Sequence, residues 1–177
     1  MNTKTITFLF AVCLTPFLIG NATAASVQQP CMAGVSTAET TATDPDMGHW
    51  KKQRALYLHD LRLSALEQKN DQLSKTDFDK ANALIEADLY LAYAEADQIM
   101  LGDAKTARTD LTKAQKNLDK VHNLASTAEK AKIETIDKTV IARREADATC
   151  NRQAPDRELK SYEMLHKDIR KLERQIG

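Results

Sequence analysis

From His49 to the C-terminus the chain carries only three residues that interrupt a helix: Gly102, Pro155 and the terminal Gly177. A helix interior is weakened by ~1 kcal/mol for each glycine and ~3 kcal/mol for each proline relative to alanine, so almost every residue here is free to be helical. Folds built on many tight turns lack the residues those turns need. The predicted class is therefore all-α, an up-and-down antiparallel bundle of four to five helices over residues 47–177.

Apolar spacing sets the individual helices. The first is expected from about Asp46 to Asn70, begun by Asp44-Pro45-Asp46, with Trp50, Tyr57, Leu61 and Ala65 on one face and Leu58 widening it. The second runs from Thr76 or Asp77 to Leu101, its stripe formed by Phe78, Ala81, Ile85, Ala92, Ala96 and Ile99. It is apolar beyond that stripe, through Leu84, Leu89, Tyr90, Leu91, Tyr93 and Met100. Such a helix is either the central member of the bundle or keeps a strip for a partner.

Gly102-Asp103 ends it, and the third helix repeats in steps of three and four through Ala104, Ala107, Leu111, Ala114, Leu118, Val121 and Ala125. Uninterrupted to Ala148 this helix would be ~65 Å long at ~1.5 Å per residue, too long for its partners to cover. A break near residue 126 is expected, and Ser126-Thr127-Ala128-Glu129 has the form of a capping box. The last helix spans about Asp156 to Gln175, with Leu159, Tyr162, Leu165, Ile169, Leu172 and Ile176 as its seam.

Before the helices stand two segments of other character. Residues 1–24 combine Lys4, an apolar run from Ile6 to Ile19 broken by Pro16, and the small residues Ala22 and Ala24. This is the layout of a cleaved signal peptide, and the run is too short for a membrane span of ~20 apolar residues. Residues 25–46 are small, polar and aperiodic, and read as an irregular arm. Export to the bacterial periplasm or the medium follows as an expectation. Loss of Cys13 with the leader leaves Cys31 and Cys150, which an oxidising compartment would join in a disulfide.

Charge and motifs exclude several functions. The whole chain holds 25 basic and 25 acidic side chains, for a net charge of zero. No basic face for nucleic acid or an anionic membrane is expected from such a balance. His49, His59, His122 and His166 never stand three or four apart, and HExxH, CxxC and CxxCH are absent, so no metal site is indicated. His59 beside Asp60 reads as a solvated surface histidine. The carboxylates read as solvated faces opposite the apolar seams. With no catalytic residues assigned, an enzyme is not expected.

Two partial resemblances remain. The hairpin around Gly102, with Ala107, Leu111 and Ala114, resembles half of a tetratricopeptide repeat but lacks its aromatic and proline positions. His122, twenty residues beyond Gly102 on a small-residue helix, is similar in placement to the histidine of small periplasmic b-type cytochromes, which implies haem held with Met47 or Met164. Leu118, Val121 and Ala125 fill the seam around His122, so no cofactor is expected.

The expected function is then an exported, non-enzymatic helical protein that binds a partner or client protein, as a chaperone-like factor or adaptor. Leu89, Tyr90, Leu91 and Tyr93 are the candidate partner-binding residues. A structural part or substrate of a bacterial secretion or envelope assembly is the alternative, and the Ala-rich seams leave a homo-oligomer open.

Overall fold

The computed structural model describes residues 44–149 and 155–176, and within them it shows five α-helices and no strand. These are α1 (Pro45–Gln68), α2 (Lys75–Glu95), α3 (Ala104–Leu124), α4 (Thr127–Thr149) and α5 (Pro155–Ile176). Cys31 and Cys150 lie outside the described residues, as do the leader and nearly all of the arm.

Each helix start has a local chemical cause. The Asp44 side chain accepts from the Met47 N–H at 3.0 Å, and Pro45 fills the first helical position, where a missing N–H costs nothing. Ser74 accepts from the Asp77 N–H at 3.1 Å to open α2, and Asp103 accepts from the Thr106 N–H at 3.0 Å to open α3. The break near residue 126 is present: α3 stops at Leu124, and the Glu129 carboxylate accepts both the Ser126 N–H at 2.7 Å and the Ser126 hydroxyl at 2.6 Å.

The end of α2 is not a plain stop. Its last turn widens into a π-helical turn, Ala96–Met100, closed by the Leu101 N–H donating to the Ala96 carbonyl at 3.0 Å. Gly102 then takes φ of 67°, a left-handed conformation that suits glycine best, and the chain turns directly into α3.

One main core unites four of the five helices. It is built from Ala83, Leu84, Ala87, Leu91 and Ala94 of α2, Ala107 to Val121 of the α3 seam, Ile133, Ile136 and Val140 of α4, and Tyr162, Leu165, Ile169 and Leu172 of α5. The α3 and α5 seams are those expected from spacing. Its place against α1, α3 and α5 explains why α2 is apolar on so many sides.

α1 adds nothing to that core. Its one buried apolar side chain, Leu66, belongs to a small cluster with Ala81 and Ile85. The face expected to be buried points instead to solvent: Trp50 is 54 % exposed, Tyr57 63 % and Leu61 49 %, with Leu58 and Ala65 also exposed. The physical reason is that the opposite face of α1 carries Lys51, Lys52, His59 and Arg62, and the body of the protein offers that face a set of buried acids. Near its start α1 approaches the π turn closely, since a Cβ on Gly48 would stand 2.5 Å from Leu101 Cδ2.

Candidate functional site

The acids come from α2 and its π turn. Asp88 and Glu95, seven residues apart, occupy the same helix face, and Asp97 follows in the widened turn; all three are at least 96 % buried. Buried carboxylates are rare unless paired. Here cations arrive from two neighbouring helices.

From α1, Lys51 pairs with Glu95, Lys52 with Asp97, and Arg62 with both Asp88 and Glu173 of α5. From α5, the Arg170 Nε–H donates to Asp88 at 3.0 Å, while His166 places Nδ1 2.5 Å from Asp88 Oδ1 and Nε2 3.4 Å from Glu95 Oε2. One imidazole thus bridges two carboxylates that stand two turns apart on α2. A second buried polar group is centred on Gln98 of the π turn. The Tyr162 hydroxyl donates to Gln98 Oε1 at 2.6 Å, the Gln98 amide donates to Glu158 at 3.1 Å, and Arg143 stacks over the Tyr162 ring at 5.0 Å while pairing with Glu158 at 3.5 Å.

The electrostatics follow from that geometry. Burial alone would raise Asp88, but the His166 hydrogen bond and the charges of His166, Arg62 and Arg170 outweigh it and lower its pKa from 3.8 to about 2. Burial pushes Glu95 the same way as Asp88, and the His166 and Lys51 hydrogen bonds prevail, so it too titrates low. Burial would deprotonate His166, yet the two carboxylates hold its proton and raise its pKa. As an imidazolium with both N–H groups engaged, it has no lone pair with which to act as a base. Asp97 differs: burial dominates, its Oδ2 is buried without a hydrogen-bond partner, and its pKa is raised despite Lys52.

A pH profile with two falling arms is expected. Asp88 contributes about 2 kcal/mol that is complete above pH ~4 and lost as pH falls toward 2, with Glu95 acting in the same direction. His166 has a raised pKa, so its contribution is complete below pH ~6.5 and lost as pH rises through its folded value. Asp97 has the opposite sign to Asp88, giving stability back as it protonates, but it is one acid against two. Melting temperature measured across pH should therefore peak between about 4.5 and 6.5, and His166→Leu should abolish the alkaline decline.

The residues singled out for partner binding separate into two pairs. Leu91 lies in the main core and Leu89 is also buried. Tyr90 and Tyr93 are half-buried and meet edge to face, centroids 6.4 Å apart, each ring also covered by a lysine, Lys113 over Tyr90 and Lys52 over Tyr93. His122 is half-exposed with Nε2 3.4 Å from Glu134, and Met47 and Met164 are exposed. His59 is a correction: it is buried, not solvated, and its ring contacts Asp60 and Glu86 at 3.1 Å each. The carboxylates of Asp88, Glu95, Asp97, Asp110 and Glu158 are likewise buried rather than solvated.

Above the ionic seam, on the outward side of α1, Met47, Trp50, Tyr57, Leu58 and Leu61 form one apolar stripe. Arg54 stands within it, its guanidinium over the Trp50 ring at 5.4 Å. Scattered exposed apolar residues are ordinary, but five along one helix face, with charges facing the core, reverse the usual amphipathic arrangement.

Fold and site thus define an all-α domain with an ionically docked first helix. No family model, curated protein or solved structure matches the chain. Among the described residues no group of three or more His, Cys, Asp and Glu side chains could hold a metal ion, and no helix is long and apolar enough to cross a membrane.

Proposed function

We propose that this is an exported, non-enzymatic helical protein that binds a partner protein in the periplasm through the outward face of α1. The observation that carries the reading is the inversion of α1, whose cationic side is held by buried acids while Trp50, Tyr57, Leu58 and Leu61 stay in water. Aromatic side chains supply most of the energy at protein interfaces, and Trp and Tyr are the residues most often decisive there. The ionic seam holds the helix in place while its apolar face remains open.

The leader over residues 1–24, the disulfide between Cys31 and Cys150 and the up-and-down antiparallel order of the helices belong to the same proposal. Tyr90 and Tyr93, the half-buried members of the earlier candidate set, lie at the edge of α2 and are secondary to the α1 stripe.

A photo-reactive amino acid placed at position 57 in cells exporting the protein tests the interaction face. A defined protein adduct at position 57, absent when the same group replaces the exposed Lys116, is the expected result. No adduct at position 57 would overturn the assignment. Mass spectrometry of the same material should find the mature N-terminus at Ala25 or Ser26.

A further inference from the structure

We infer that the occupant of the α1 stripe is the α1 stripe of a second copy of this chain, packed antiparallel about a two-fold axis; this rests on the reading of the stripe as an interaction face. Trp50, Arg54, Tyr57 and Leu61 are spaced four, three and four residues apart. That order reads the same from either end. An antiparallel copy therefore sets Trp50 against the second copy's Leu61 and Arg54 against the second copy's Tyr57, then repeats both contacts by symmetry.

Charge selects this direction over the other. Arg54 is the cation in the middle of the stripe, and Asp60 stands at its edge with a side chain 68 % exposed. In the antiparallel pair each Arg54 comes beside the second copy's Tyr57 ring and within reach of the second copy's Asp60, a stacked and an ionic contact made twice. A parallel pair in register would lay Arg54 on Arg54 and leave both acids outside.

The area agrees with a reversible association. Trp50 and Tyr57 are each more than half exposed, and side chains of this type carry ~150–250 Å². With Met47, Leu58 and Leu61 added on both copies, the covered surface is on the order of 1,000 Å², the lower bound for a specific interface. An interface of that size falls among the weak, transient ones, so the dimer is expected to dissociate on dilution.

Sedimentation equilibrium of the exported, processed chain, from micromolar to several hundred micromolar, tests it. The expected result is a monomer–dimer equilibrium in which Trp50→Asp or Leu61→Asp raises the dissociation constant at least about tenfold. Arg54→Asp should weaken the dimer, and the double exchange Arg54→Asp with Asp60→Arg should restore it, which reads the antiparallel register without altering any apolar residue. All four side chains are exposed, so circular dichroism should show each variant folded. A chain that is monomeric at every concentration, or a dimer indifferent to these substitutions, overturns the inference. A monomer that still forms adducts with a different protein at position 57 overturns only self-association; a monomer with no adduct there overturns the interaction face as well.

Discussion

Asp88→Ala is expected to lower the unfolding free energy by about 3–5 kcal/mol, because it leaves His166, Arg62 and Arg170 charged and without their shared acid. The pairing itself is not a large net gain, since desolvating the ions offsets much of their attraction. The loss arises from the asymmetry: Arg62 keeps Glu173 and His166 keeps Glu95, but three cations then converge on a site whose shared acid is gone. Urea unfolding measures it, with Glu134→Ala as the control. Glu134 meets His122 at the surface, where an ion pair is worth only ~0–1 kcal/mol. Equal, small effects at both positions would mean that water reaches the Asp88 cluster and that the seam does not hold α1.

Leu118→Ala should cost about 2–5 kcal/mol, the range for a fully buried leucine whose cavity only partly collapses. Leu61→Ala, on the outward face of α1, should stay within about 0.5 kcal/mol. The same substitution in two leucines at heptad-like spacing thus separates a core seam from an open stripe. A cost at Leu61 as large as that at Leu118 would place α1 the other way round. A cost near zero at Leu118 would mean that the α3 seam is not packed in the bundle core.

The difference between α3 and α1 shows how much of this molecule was legible in its sequence. In α3 only one face is apolar and the rest is charged or polar, so Leu111, Leu118 and Val121 could belong only to a core. The break at residue 126 and the turn at Gly102 were legible for the same reason: capping residues and a glycine act locally, through a few hydrogen bonds and one φ angle.

On α1 the spacing of Trp50, Tyr57 and Leu61 was equally clear, but its meaning depended on what the body presented. An apolar stripe is buried when the facing surface is apolar. Here the facing surface holds Asp88, Glu95 and Asp97, and the cations of α1 turned toward them. The available signal was the placement of Asp88 and Glu95 seven residues apart on a helix that is otherwise apolar on most sides. Acids on one face of a helix that must be central cannot all be solvated, and they call for cations from its neighbours. The candidate site was therefore only half visible, because local periodicity reports which residues share a face and not what that face meets. The role of His166 was not legible for a related reason, since its partners are 78 and 71 residues away in sequence and are joined to it only by the packing of α5 on α2.

The outward orientation of α1 underlies both the interaction face and the dimer, and the chain provides one tryptophan, Trp50, to report on it. Fluorescence of the folded protein at submicromolar concentration, where a weak dimer is dissociated, should show emission close to that of tryptophan in water, ready quenching by acrylamide, and little change in wavelength on unfolding in urea. A blue-shifted emission protected from acrylamide, moving to the red on unfolding, would show Trp50 buried and the apolar face of α1 turned inward.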